Sequence, residues 1–211
     1  MYLSRVEIDT KDRKKIKNLK HVGAIHNWVE RSFPKEFSEG IRTRKLWRID
    51  PLNGQFYLLI VSESPPSIEK LESYGVKGTG QVKKYKNFLN NIEEGKSYTF
   101  RITLNPVVSK MIDPDRKRGR VQPVANDEQM KFLYDRSEKN GFQLNKDEFY
   151  IVSRGHVNFM KPSQKKIRLN KATYEGRLTV INKDKFIKTL TKGFGKKNSY
   201  GFGLMTVLPE D

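Results

Sequence analysis

Residues 45–62, KLWRIDPLNGQFYLLIVS, decide the architecture of this chain. Two apolar runs, Lys45 to Ile49 and Gln55 to Ser62, flank Asp50-Pro51-Leu52-Asn53-Gly54, whose residue types favour a chain reversal, so the segment predicts an antiparallel hairpin. Upstream, Val22, Ile25, Val29 and Phe33 recur at helical spacing until Pro34 ends the pattern. A basic stretch, Lys11 to Lys20, precedes that helix. Before it Tyr2, Val6 and Ile8 alternate with Arg5, Glu7 and Asp9, as in a half-buried strand. Downstream, Ser64-Pro65-Pro66-Ser67 breaks the chain and caps a short helix through Leu71, and Gly75, Gly78 and Gly80 lead into an extended region, Gln81 to Phe88. The resulting order is β, α, β, β, α, β.

The second half repeats that order loosely. Tyr98 to Val108 reads as a strand, and the charged, Gly-containing loop Asp113 to Arg120 marks the boundary between units 1–112 and 113–211. Asp127 to Lys139 predicts a helix with Met130, Leu133 and Tyr134 inward. Strands at Phe149–Ser153 and Ala172–Ile181, a helix at Lys183–Leu190 and a closing strand at Gly203–Leu208 complete it. The expected class is α+β, two tandem βαββαβ domains with antiparallel sheets and helices on one face.

Composition narrows the function. Of 211 residues, 42 are Lys or Arg and 24 are Asp or Glu, so 42 − 24 leaves a formal charge of +18. Such an excess calls for a polyanion, with nucleic acid ahead of an anionic membrane surface. There is no Cys, which excludes disulfides, thiolate zinc sites and thiol nucleophiles, and three His make a dense metal site improbable. No metal and no cofactor are expected. The longest apolar run, Phe56 to Val61, is far short of the roughly 20 residues of a membrane span, and the alternating N-terminus does not read as a signal peptide. The expected location is the cytoplasm, with no membrane partner.

His26, beside the apolar stripe of the first helix, is the best catalytic candidate, because imidazole exchanges protons near neutral pH. By pattern alone the plainer reading, a helix histidine facing a core margin, is favoured over the catalytic one. His21 sits five positions earlier, about 140° around a helix, and would not converge with it unless the helix begins between them. The cluster Gly193-Phe194-Gly195-Lys196-Lys197-Asn198-Ser199-Tyr200-Gly201-Phe202-Gly203 fails the dinucleotide fingerprint, having Asn198 where a third glycine is needed and a strand after it. Gly95-Lys96-Ser97 lacks the earlier P-loop glycine, since Asn90 stands there, so no nucleotide cofactor is expected. Glycines with Lys196 and Lys197 still suit an anion, or a plain turn between helix and edge strand. Two more basic concentrations stand out: Lys110 with Arg116, Lys117, Arg118 and Arg120, and Arg154, His156, Lys161, Lys165, Lys166, Arg168 and Lys171. The latter reads as a basic hairpin for a nucleic-acid stem, although a charge run is usually a solvated face.

Taken in order, MYLSRVEI (1–8), HNWVERSFP (26–34), LWRIDP (46–51), FRITLNPVVSK (100–110) and YEGRLTVINKDKFIKTLTKGFGKKNSYGFGLMTVLP (174–209) resemble the CasE family, the CRISPR repeat endoribonucleases of the type I-E Cascade system. The resemblance implies two ferredoxin-like domains that bind the stem-loop of the CRISPR repeat transcript and cut once at the stem's base. It implies a metal-independent reaction in which the ribose 2′-OH attacks the adjacent phosphate, leaving 2′,3′-cyclic phosphate and 5′-OH ends. The family's catalytic histidine, seven residues before the Phe-Pro that ends the helix, falls on His26. Arg31, Lys196 and Lys197 become transition-state cations. His21 is an auxiliary candidate, because Gly23 stands where some relatives carry a Tyr. Gly193, Gly195, Gly201 and Gly203 map onto the RNA-facing loop, and the Arg154–Lys171 region onto the stem grip. The implied partners are the repeat hairpin and other Cascade subunits. The competing reading is a non-catalytic RNA-binding subunit of a CRISPR or ribosomal-type complex.

Overall fold

The structure, a computed structural model, describes residues 1–111, 119–159 and 167–210. Its first sheet joins β1 (Tyr2–Glu7), β2 (Leu46–Leu52), β3 (Gln55–Ser62) and β4 (Gln81–Lys84) in the order β2-β3-β1-β4, every pair antiparallel. The hairpin is as the sequence implies, but its turn is only Asn53-Gly54. Both residues have positive φ (50° and 76°), the backbone that matches strand twist in a two-residue turn, and Leu52 pairs directly with Gln55.

The basic stretch forms a short helix, α1 (Arg13–Asn18), because the Asp12 carboxylate accepts the N–H groups of Lys14 and Lys15. The amphipathic segment forms α2 (Val22–Arg31), burying Val22, Ile25, Trp28 and Val29. Pro34 ends that pattern and takes the first turn of another helix, α3 (Pro34–Ser38), where its missing N–H costs nothing. Ser67 caps α4 (Ile68–Leu71), and Trp28 Nε1 on α2 donates to the Leu71 carbonyl at 3.0 Å, fixing the two helices together. The extended region near residue 81 ends at Lys84 and turns into α5 (Lys86–Asn90).

The second sheet runs β11-β5-β10-β8, from β5 (Ser97–Leu104), β8 (Phe142–Gln143), β10 (Ile167–Val180) and β11 (Met205–Pro209), with β9 (Phe149–Phe159) also paired to β10. Taking β8 and β9 as one interrupted strand, both sheets order their strands second, third, first, fourth. The fold is therefore two tandem ferredoxin-like units. Ser97–Leu104 opens the second of them, so the change of sheet falls between Lys84 and Ser97, ahead of the charged loop. The strand predicted to Val108 breaks at Asn105-Pro106, and Val107–Lys110 becomes β6, paired with β7 (Arg120–Pro123) in a separate ribbon. α6 (Gln129–Ser137) buries Phe132 and Leu133, leaving Tyr134 exposed instead of inward. α7 (Lys183–Lys192) leads into the glycine-rich loop.

The two cores interlock. Leu46 and Val61 of the first sheet pack with Phe100, Tyr174 and Phe186 of the second unit, while Phe159, Leu169 and Phe202 pack with Trp28, Val29 and Trp47. Fully buried Arg48 closes the seam: Nη1 donates to the Arg101 and Leu204 carbonyls (2.6 and 2.8 Å), and Nη2 to Asp50 and Thr206 (2.6 and 2.7 Å). Paired and hydrogen-bonded this fully, the buried charge is compensated. Among the described residues no helix is long and apolar enough to cross a membrane.

Candidate active site

The seam brings three segments to one place: α2, the β9–β10 hairpin and the glycine-rich loop. His26, on α2, is about a quarter exposed, and its ring lies 5.3 Å from that of Tyr200, edge-on at 61°. Tyr200 in turn lies 4.4 Å from Phe159 of β9, and Lys197 Nζ sits over both rings, at 5.6 Å from Phe159 and 6.0 Å from Tyr200. Imidazole, phenol and ammonium thus share one surface of the seam.

The loop is held there by backbone. Phe194 N–H donates to Gly203 O (3.0 Å) and Gly203 N–H to Thr103 O (2.8 Å), while Trp47 Nε1 donates to Ser199 O (3.0 Å). Gly201, at φ 83°, lies so close to Trp47 that a Cβ would fall 2.7 Å from the indole. Gly203, at φ 81°, would put a Cβ 2.4 Å from Phe194 O. Neither position admits another residue without moving the turn. That is why the glycines recur, and the turn they shape, Asn198–Tyr200, is the one that carries Tyr200 to His26.

Burial lowers the His26 pKa, and the nearby Arg42 and Lys45 cations lower it further against the upward pull of Glu30. Glu30 Oε1 is 3.9 Å from His26 Nδ1, an electrostatic approach and not a hydrogen bond. Lys45, almost wholly buried, pairs with Glu36 at 2.7 Å and with Glu30 at 3.5 Å, over the Phe33 ring at 4.8 Å. Burial pushes the Glu36 carboxyl up, but hydrogen bonds from Lys45, Ser64 and Thr43 outweigh it and bring the pKa down to about 2. The imidazole is therefore held neutral at pH 7, beside a buried acid–base chain that orders Lys45.

The other expected residues divide by place. His21 is the N-cap of α2: its Nδ1 accepts the Ala24 N–H at 3.2 Å, so that nitrogen is occupied by the helix end. Arg31 is exposed about 140° around α2 from His26, in a groove with Lys14 and Phe37. On the hairpin, Arg168 pairs with Asn158, Asn170 with His156 and Ala172 with Arg154, so strand alternation puts Arg154, His156 and Arg168 on one face. The opposite face turns Phe159 and Leu169 into the core beside α2. Arg154 also donates to Gln129 Oε1 at 3.2 Å on α6. Lys171 is half-buried, its pKa lowered by burial and by Arg101. Lys110 is exposed and pairs through its backbone with Arg120. Lys196 is exposed beside Gly195. Arg116, Lys117, Arg118, Lys161, Lys165 and Lys166 lie outside the described residues.

Tyr200, Glu30, Glu36 and Lys45 were not singled out by the sequence. Tyr200 was in view within the glycine cluster but carried no signal of its own, because its partner His26 is on another unit. Glu30 stands four residues after His26, a helical spacing that was readable. Among the described residues no group of three His, Cys, Asp or Glu side chains could hold a metal ion.

Comparison with known proteins follows the same lines. A family model described as CRISPR associated protein matches residues 1–209. CRISPR-associated endoribonuclease Cse3 of Thermus thermophilus is 26% identical over 222 residues, covering 99% of this chain and all of that one. The structure of Thermus thermophilus Cse3 bound to an RNA representing a pre-cleavage complex superimposes with a TM-score of 0.79 at 22% identity, covering 99% of this chain and 98% of that one. A chain of a CRISPR RNA-guided surveillance complex, pre-nicking, gives 0.71 at 20% identity, with both chains fully covered.

Proposed function

The chain belongs to the CRISPR-associated protein family, and from that premise we propose that it is a metal-independent endoribonuclease that cuts CRISPR repeat precursor RNA at the base of its stem-loop. The observation that carries the reading is His26. It is a partly buried imidazole kept deprotonated at the seam, between an aromatic turn, a lysine and a basic hairpin. Neutral imidazole is a base. With Nδ1 turned toward Glu30, Nε2 is the ring atom left to take the proton from the ribose 2′-OH. The 2′-oxygen then bonds to phosphorus, the P–O5′ bond breaks, and the 5′-oxygen leaves with a proton from solvent. The products are a 2′,3′-cyclic phosphate and a 5′-OH. General-base help of this kind contributes roughly 10²- to 10⁴-fold. Lys197, held over two rings, supplies positive charge to the phosphorane-like transition state.

Arg154, His156 and Arg168 on one hairpin face suit the phosphates of an A-form stem, whose deep, narrow major groove hides its base edges. The hairpin's other face packs beside the His26 helix, so a stem gripped there would present its base to the seam. The product stays bound, and the protein serves as a subunit of a Cascade surveillance complex in the cytoplasm. That part of the reading draws on a structural neighbour that is a chain of a CRISPR RNA-guided surveillance complex.

The test is incubation with the cognate repeat hairpin in EDTA, followed by analysis of the ends. One cut with a cyclic phosphate and a 5′-OH is expected. A hairpin bound but left whole would instead make the protein a non-catalytic RNA-binding subunit.

Tyr200 acts here as a positioning residue, its ring fixing the imidazole's orientation. Tyr200→Phe, which keeps the ring, should cleave within about threefold of the parent. Tyr200→Ala should lose about 10- to 100-fold in single-turnover rate and alter the pH profile, since small misplacements of a reacting group have effects of that size. Equal losses in both variants would make the hydroxyl, and not the ring, the active part.

A further inference from the structure

The basic stretch Lys11 to Lys20 is not used by the site just described. Folded, it lines one side of a groove of about 710 Å³ between α1, α2, α3 and the segment after α4. The groove has an aromatic side, Trp28, Tyr74 and Phe37, and Phe37 is 89% exposed, a large ring that no packing requirement explains. Of the cations that line it, Lys15 pairs with Asp9 and Lys70 with Glu69, while Lys14 and Arg31 form no ion pair with any described residue. Exposed Lys11, Arg13, Lys17 and Lys20 lie on α1 and beside it, also without acidic partners among the described residues. Glu30 connects the two places: it lines the groove and its Oε1 approaches His26.

We infer that this groove binds single-stranded RNA flanking the scissile phosphate, with Phe37 and Tyr74 stacking bases and Lys14 and Arg31 meeting phosphates. The inference rests on the endoribonuclease reading for the origin of the strand, but not for the chemistry of the groove. Unpaired cations alternating with accessible aromatic rings are what a single strand requires: a charged track for its backbone and faces for its bases. A protein segment would meet the free cations Lys14 and Arg31, with Lys11, Arg13, Lys17 and Lys20 beside them, only at a cost unless it were itself strongly acidic. Position agrees as well, because Glu30 of α2 lines the groove and its Oε1 lies 3.9 Å from His26 Nδ1, so the groove opens beside the catalytic face of that helix.

The experiment compares two fluorescent probes, each with a 2′-deoxy nucleotide at the cut site so that neither can be cleaved. One is the repeat hairpin alone, the other the same hairpin extended by ten uridines on each side. The extended probe should bind at least about 10-fold more tightly. In the Phe37→Ala, Lys14→Gln double variant that gain should fall below about twofold, with affinity for the plain hairpin unchanged. Both side chains are exposed, so folding is not at stake. Equal affinity for the two probes, or a gain that survives both substitutions, overturns the inference and leaves the groove for a protein subunit. If the plain hairpin does not bind at all, the endoribonuclease reading fails. The groove is then judged by a twelve-uridine strand alone, whose binding must be lost in the double variant.

Discussion

His26→Ala should abolish repeat cleavage, with single-turnover rates down about 10²- to 10⁴-fold, while hairpin affinity stays within about twofold. The two halves of that result have separate physical causes. On the proposed reading, affinity comes from the basic hairpin face and the lysines of the glycine-rich loop, none of which pairs with the imidazole. On the same reading, rate comes from the neutral imidazole at the seam. Removing the ring also leaves no buried charge behind, because His26 is held unprotonated by burial first, and then by Arg42 and Lys45 against Glu30. The fold should therefore survive. The pH profile adds a sign. A base whose pKa is depressed is lost as pH falls through that depressed value, so the acidic limb of kcat/KM should lie below the ordinary histidine value. A rate that instead drops as pH rises through the same region would make His26 the proton donor. Cleavage by His26→Ala at the parental rate would remove it from the mechanism.

Much of this arrangement was readable in the chain, and the part that was not has a physical reason. The hairpin at residues 45–62 and the flanking helices are local: turn chemistry and apolar period act within a few residues of each other, and the structure keeps both. Sheet membership is not local. Ser97–Leu104 has the same alternating pattern whichever sheet it joins, and only its pairing with β10 and β11 assigns it to the second unit. The same holds at the site. His26 carries its chemistry in its residue type, and the glycines signal a tight turn, but nothing in either segment says that Tyr200 meets His26. That contact exists because the two cores exchange side chains across the seam. Lys45 was read as the first residue of a strand, where a charged side chain ordinarily reaches solvent. Its burial depends on two acids from α2 and α3 that come forward only when those helices pack.

Lys45→Met should be strongly destabilising, by about 3–5 kcal/mol at neutral pH, which in a chain of this size is a fall of about 6–20 °C in Tm. The loss does not measure the attraction alone. Glu36 is buried and keeps its charge only because Lys45, Ser64 and Thr43 hydrogen-bond to it, so without the ammonium a carboxylate is left in a low-dielectric site with too few donors. The pH dependence separates this cause from lost packing. In the parent, Glu36 titrates near 2 when folded against about 4.5 in its unperturbed state, so its contribution is fully present above pH 4.5 and is lost as pH falls toward 2. In Lys45→Met the folded pKa rises toward or above the unfolded one. The gap between parent and variant should then be widest near neutrality and narrow as pH drops below about 4.5, in denaturant titrations run at a series of pH values. A gap that is the same at every pH would assign the loss to the lysine's packing over Phe33. The double variant Lys45→Met, Glu36→Leu should recover much of the stability by removing the stranded charge. Because Lys45 also disfavours the His26 imidazolium, whatever activity Lys45→Met retains should show its acidic limb shifted upward. That would couple a buried ion pair to the pH at which the enzyme cuts.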